Sequence, residues 1–279
     1  MKIHVLGSNG YIAKRFLEHL DRKEVLTYSR YKKYSDVVFD IEKYDEFNYD
    51  NFKIGDYVIF LAAISSPDEC NKNYEYAYNI NVIGTKNIIK KLLDKGCRVL
   101  FFSSDVAYGD YSCIFDENSA SNPFGNYGRM KYEIEEMFKK YINFKVFRLS
   151  YVFSKDDKFM QYLLKCSKNN ITADVYDSLY RNVVYIDDVI CGIINLIKTF
   201  DRWDNYLFNI CGSDLLSRKN LVEIYTEVVD RNLKYNVSKP SESFLLNRPK
   251  TINVKSIYFE KLLGRTSTKI KNAMIKEFF

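Results

Sequence analysis

Histidine, tryptophan and proline are scarce in this chain: two, one and four residues among 279. Only His4 and His19 could partner the six cysteines at 70, 97, 113, 166, 191 and 211, which include no Cys-x-x-Cys pair. The common zinc patterns are thereby excluded. Cysteines without a disulfide framework fit a reducing compartment, so a cytoplasmic location is expected. No apolar run approaches the roughly 20 residues that a membrane-spanning helix needs. The short apolar stretch before Gly7 is far below the core of a signal peptide, and no membrane partner is expected.

Aromatic residues are plentiful, with 24 Tyr and 20 Phe that read mainly as core and rim filling. Against 36 acidic residues stand 42 basic ones, a net charge of +6 that suits an anionic ligand. The basic residues are scattered rather than clustered, which argues against a nucleic acid partner.

Short apolar runs, "KIHVL", "EVLTY", "YVIFLAA", "RVLFFSS" and "FKVFRLS", alternate with segments of helical period such as "YEYAYNINVIGTKNIIKKLLDK". That rhythm predicts an α/β fold, a Rossmann-type doubly wound parallel sheet. The runs are continuously apolar, as strands covered on both faces should be. Beyond residue 150 the rhythm loosens into "NVVYIDDVICGIINLIKTF", "YLFNICG" and helical patterns at 217–231 and 267–277. We therefore expect a dinucleotide-binding domain over 1–150, with 182–200 packing back onto it. A smaller mixed α/β substrate lobe is expected over 151–181 and 201–279.

Between the first strand and the first helix stands Gly7-Ser8-Asn9-Gly10-Tyr11-Ile12-Ala13. In such a turn the first glycine permits the tight bend, the second lets a pyrophosphate approach, and a small third residue lets helix meet strand. The residues from Gly7 to Ile12 are therefore the candidate phosphate-binding segment. After the second strand come Ser29, Arg30, Lys32 and Lys33 rather than an acidic residue. Cations there favour a 2′-phosphate, so NADP(H) is expected, with NAD(H) the alternative; a solvated basic loop would also explain the residues.

Tyr127 and Lys131 are four apart at the start of a helical pattern and so share a face. The spacing alone is common here, since Tyr28 with Lys32, Tyr141 with Lys145 and Tyr235 with Lys239 repeat it. Ser104 distinguishes Tyr127, because it closes a buried strand where a parallel sheet presents its carboxyl edge to ligands.

"GSNGYIA", "FLAA", "NVIGT", "SSDVAYG", "YGRMK" and "RNVVYIDDV" occur in the order found in the extended short-chain dehydrogenases/reductases, the NAD-dependent epimerase/dehydratase superfamily. Nearly the whole chain shares this resemblance. "AAISSPDECNKNYEYAYNINVIGTKN" and "NRPKTINVKSIYFEKLLG" look most like the dTDP-4-dehydrorhamnose reductase branch. The resemblance implies that Ser104, Tyr127 and Lys131 are catalytic. Tyr127 would protonate the developing alkoxide, and the Lys131 ammonium would draw the phenol toward neutrality while holding the nicotinamide ribose. Asp40 and Ile41 would flank adenine, Leu61, Ala62 and Ala63 would lie beneath the cofactor, and Asn81 would brace the sheet. Asp105, Tyr151, Arg181 and Arg248 would line the substrate site beside Ser104, the two arginines pairing with a diphosphate or nucleotide.

Three departures narrow the chemistry. Val106 follows Asp105 where the family's 4,6-dehydratases carry an Asp-Glu pair, so the base for eliminating water is missing. Neither His4 nor His19 lies on an element that would serve a 3,5-epimerase-reductase. Ser154 stands where the family's loop usually has Gly. The implied function is an NADPH-dependent reductase of a nucleotide-linked 4-keto-6-deoxy sugar in bacterial surface-polysaccharide synthesis. A 4-epimerase with bound NAD and a non-catalytic NADP-binding regulatory subunit are the alternatives. A nucleotide-diphosphate sugar is the expected ligand. A homodimer through the helices at about 73–95 and 127–140 is an expectation drawn from the same resemblance.

Overall fold

A computed structural model describes residues 1–110 and 113–279. Its strands are β1 (Ile3–Leu6), β2 (Val25–Ser29), β3 (Val37–Val38), β4 (Tyr57–Phe60), β5 (Arg98–Ser104), β6 (Ile114–Phe115) and β7 (Phe144–Leu149). They continue with β8 (Val152–Phe153), β9 (Ala173–Tyr176), β10 (Tyr180–Tyr185), β11 (Leu207–Ile210), β12 (Asp214–Leu216), β13 (Tyr235–Ser238) and β14 (Thr251–Val254). The helices begin with α1 (Tyr11–Leu17), α2 (Pro67–Lys72), α3 (Tyr74–Tyr78), α4 (Thr85–Asp94), α5 (Gly125–Phe138) and α6 (Lys158–Lys168). They end with α7 (Ile186–Thr199), α8 (Arg218–Val228), α9 (Glu242–Leu245), α10 (Phe259–Leu263) and α11 (Ile270–Phe278).

Seven parallel strands form the main sheet in the order β11-β7-β5-β4-β1-β2-β3. The chain winds outward from β1 in one direction, then returns to β4 and winds in the other. Ligands in such sheets bind at this reversal, outside the carboxyl ends of the central strands. Side chains of a strand alternate between faces. In β5, Val99 and Phe101 join one buried layer with Ile88, Leu92, Met130 and Ile134, while Leu100 and Phe102 join the other with Phe147, Ile190 and Ile193. Burial on both faces is why these strands read as continuous apolar runs.

β11 follows the point at which the sequence rhythm loosens, yet its hydrogen bonds to β7 make it the edge of the main sheet. The second sheet, β12-β10-β14-β6 with β8 on β10, is mixed, because β12 alone runs antiparallel to β10. The pair β13-β9 stands apart. The stretch expected to be one long helix is helical throughout, but a π-helical segment, Asn79–Gly84, lies between α3 and α4. Asn81 sits in it, accepting from the Ile64 N–H and donating to the Ile64 carbonyl, both at 2.9 Å, which fixes the loop after β4. Tyr74 and Tyr76 remain exposed on α3. No helix among the described residues is long and apolar enough to cross a membrane.

Candidate active site

Two cavities open at the carboxyl edge of the main sheet. The smaller, about 370 Å³, is lined by Gly7, Asn9 and Gly10 after β1, Ser29 and Arg30 after β2, Asp40 and Ile41, and Leu61 to Ala63 after β4. Gly7 has a φ of +91°, and a Cβ there would stand 2.7 Å from the Ala62 nitrogen, so only glycine lets the two loops meet. No side chain caps α1 at Gly10, which leaves its first-turn N–H groups to an outside acceptor.

Not every expected cofactor residue faces this cavity. The Ser8 hydroxyl turns into the protein, donating to the carbonyls of Tyr28 and Tyr34. Ile12 packs against the core and the Tyr11 hydroxyl donates to Ser154 Oγ at 2.7 Å, so what these two can offer a phosphate is backbone. Ser154 itself avoids the left-handed region and holds Asp156 N–H, so its loop forms without glycine. Arg30 is the cation that reaches the cavity, whereas the Lys32 ammonium donates to the Asp36 carbonyl. The Asp36 carboxylate is itself engaged by Thr27.

The larger cavity, about 910 Å³, is lined by Ser104, Asp105, Tyr127, Tyr151, Arg181 and Arg248, among others. It adjoins the first across the loop after β4, where Ile64 lines one and Ser65 and Pro67 the other. Ser104 ends β5, and Tyr127 lies in the first turn of α5. The two elements approach closely because α5 carries Gly128, where a Cβ would be 3.1 Å from the Val106 carbonyl oxygen.

Lys131, one turn along α5, is buried, and its ammonium donates to the Phe102 carbonyl at 2.8 Å while lying 5.9 Å from the Tyr127 ring centroid. Burial pushes Lys131 down to about 8, against the opposing pull of Cys70 and Glu135. Burial likewise pushes the Tyr127 phenol up, helped by the neighbouring Cys70 and Asp105. The expected lowering of the phenol by Lys131 is thus absent: the ammonium is bonded to the sheet, and desolvation of the phenolate dominates.

The buried ammonium has a measurable consequence. Between about pH 8 and the ordinary lysine value of about 10.4, the folded chain binds fewer protons than the unfolded one, so stability rises with pH across that window. At neutral pH both states carry the charge, and the folded one bears its burial. Lys131→Met is therefore expected to raise the stability of the cofactor-free protein at pH 7 by about 1–3 kcal/mol, after loss of one hydrogen bond. A lower melting temperature for the variant would contradict this.

The expected substrate arginines are present but engaged. Arg181 donates to the carbonyls of Tyr180 and Pro249 at 2.7 and 2.9 Å, with Nε 3.8 Å from Asp105 Oδ2. Arg248 forks onto Asp68, with Nη1 at 2.8 Å, and lies over the Phe244 ring. Asp105 is buried, accepts from Ser150 Oγ at 2.9 Å and from Ser104 Oγ at 3.3 Å, and is pushed up by burial against the pull of Arg181.

Sequence reasoning missed two features. Glu135, one turn beyond Lys131, is fully buried, accepts from Ser103 Oγ on β5 and pairs with Arg148 on β7 through two nitrogens. The four-residue spacing that singled out Tyr127 and Lys131 continues to Glu135 and could have found it. Phe159 and Arg218 also line the large cavity. No local pattern marks them.

A glycine turn at the strand reversal, with Ser104 and Tyr127 at the same sheet edge, defines a dinucleotide-binding α/β protein with a second ligand cavity. The chain belongs to the NAD dependent epimerase/dehydratase family, whose sequence model matches residues 3–211. An Escherichia coli O157:H7 protein, N-acetyl-alpha-D-glucosaminyl-diphospho-ditrans,octacis-undecaprenol 4-epimerase, is 28% identical over 149 residues, covering 50% of this chain and 43% of that one. A Methanocaldococcus jannaschii protein assigned as a UDP-glucose 4-epimerase is 30% identical over 213 residues, 69% of this chain and 67% of that one. Among solved structures, the dTDP-4-dehydrorhamnose reductase of Bacillus anthracis in complex with NADP superposes with a TM-score of 0.80 at 22% identity, covering 99% of this chain and 98% of that one.

Proposed function

We propose that this chain is an NADPH-dependent reductase of a nucleotide-diphosphate-linked 4-keto-6-deoxy sugar, acting in bacterial surface-polysaccharide synthesis. The observation that carries the reading is the placing of Ser104 and Tyr127, with Lys131 beneath, beside the loop where a dinucleotide-binding cavity adjoins a larger one. A reduced nicotinamide, when bound, supplies the hydride. Tyr127 gives its proton to the developing alkoxide. Ser104 Oγ, held loosely by Asp105 at 3.3 Å, donates to the same oxygen. An ammonium has three donors; Lys131 uses one on Phe102, leaving others for the nicotinamide ribose. Arg181 and Arg248 add positive charge along the cavity wall.

Arg30 and the absence of a carboxylate at the tip of β2 support NADPH. Arg30→Ala is expected to weaken NADPH binding about tenfold and leave NADH binding within about twofold, since one charge-assisted bond to a 2′-phosphate is lost. Titration by fluorescence checks both, and equal loss for the two cofactors would contradict the assignment.

The kinship with 4-epimerases supports a second reading, in which NAD stays bound and the sugar is oxidised and re-reduced. That cycle would use Tyr127 first as a base and then as an acid, so the same phenol serves both readings. NADPH consumption in the presence of a 4-keto-6-deoxy sugar nucleotide separates the two.

A further inference from the structure

Among the arginines of the large cavity, Arg218 has a buried nitrogen without a partner among the described residues. Arg218 opens α8, and its guanidinium carbon lies 4.0 Å from the Tyr151 ring centroid and 4.7 Å from that of Phe159. Both rings are tethered to one carboxylate. The Tyr151 hydroxyl donates to Asp157 Oδ1 at 2.6 Å, and the Phe159 backbone N–H donates to the same oxygen at 2.8 Å. A guanidinium stacked on two rings keeps its plane fixed. Arg218 Nη1 is buried and has no hydrogen-bond partner among the described residues. An orphaned donor of this kind costs free energy unless something else brings an acceptor.

The other arginines of the cavity are satisfied from within: Arg181 by two carbonyls and Asp105, Arg248 by Asp68. Arg218 has no carboxylate within ion-pair distance among the described residues. Its place along the cavity is also informative. Ser104 touches Asp105, Asp105 meets Arg181, and Arg181, destabilised in its charged form mainly by burial, also feels the charge of Arg218. Arg218 and Arg181 thus share the wall of one cavity with Ser104 and Tyr127, and Arg218 stacks on Tyr151, the neighbour of the Ser150 that holds Asp105.

We infer that Arg218, clamped between Tyr151 and Phe159, is the principal ligand of the substrate's diphosphate, and that Arg181 chiefly supports Asp105. The inference rests on the reading that the substrate is a nucleotide-diphosphate sugar. A planar fork whose Nη1 has no partner among the described residues suits a phosphate oxygen. Binding would satisfy Nη1 without breaking an existing ion pair, whereas Arg248 would first have to leave Asp68.

The test is calorimetric titration of the purified chain with dTDP, UDP, GDP and CDP, then with the free nucleoside of whichever binds most tightly. Arg218→Met is expected to weaken that diphosphate about 10- to 100-fold. Affinity for the nucleoside and for NADPH should stay within about twofold. Arg218→Lys should recover part of the loss, because the charge returns without the fork. If Arg218→Met binds the diphosphate as wild type does, the assignment of Arg218 is overturned while the nucleotide-sugar reading stands. If the wild type binds none of the four, both are overturned. Should Arg218→Met fail to bind NADPH or to melt cooperatively, Arg218→Lys decides, and wild-type affinity in that variant overturns the inference.

Discussion

Tyr127→Phe is expected to lower turnover about a hundredfold to ten-thousandfold, the usual worth of a well-placed general acid. The substitution removes one hydroxyl and leaves the ring, which packs at the edge of the buried layer containing Met130. Lys131 donates to a backbone carbonyl rather than to the phenol, so its position should survive. Cofactor and nucleotide affinities should therefore stay within about twofold, and the loss should fall on kcat. Ser104→Ala should cost less, because a weakly held hydrogen bond is removed while the proton donor remains. Wild-type turnover in Tyr127→Phe would remove α5 from the chemistry altogether.

Glu135→Ala should produce the largest loss of stability. Glu135 and Arg148 are both buried, and removing one partner of such a pair typically costs about 3–5 kcal/mol because the other charge is stranded. A fall in melting temperature on the order of 10 °C follows for a chain of this size. Arg148 is stranded more severely than most, since its Nη1 already lacks a partner and its guanidinium lies over the Tyr108 ring at 4.5 Å. The double variant Glu135→Leu/Arg148→Met should be more stable than Glu135→Ala, because neither charge is then left alone. Equal or lower stability of the double variant in thermal melts would show that the pair is not what ties α5 to β7.

How much of this was legible follows from the range of the interactions. Strands such as β4 and β5 announced themselves because both faces are buried, and the turn at Gly7 because backbone packing at Ala62 tolerates no Cβ. Asn81, expected to brace the sheet, instead bonds twice to Ile64 and so holds the loop after β4. The electrostatics were not legible. Whether the Lys131 ammonium meets the phenol or the Phe102 carbonyl depends on how α5 seats on β5, and a four-residue spacing says nothing about that. The clamp around Arg218 was hidden for another reason: Tyr151, Phe159 and Arg218 come from a loop, α6 and α8, and only the folded lobe brings them together. Ser8 illustrates the converse, a residue inside a recognisable turn whose side chain faces inward.

The most direct test of the account is to supply the purified chain with NADPH and a nucleotide-linked 4-keto-6-deoxy sugar and to follow both the cofactor absorbance and the sugar product. The account predicts one NADPH oxidised for each keto sugar reduced, with NADP released, and loss of that activity in Tyr127→Phe. Purification with tightly held NAD, together with interconversion of 4-hydroxy epimers and no net NADPH consumption, would contradict it.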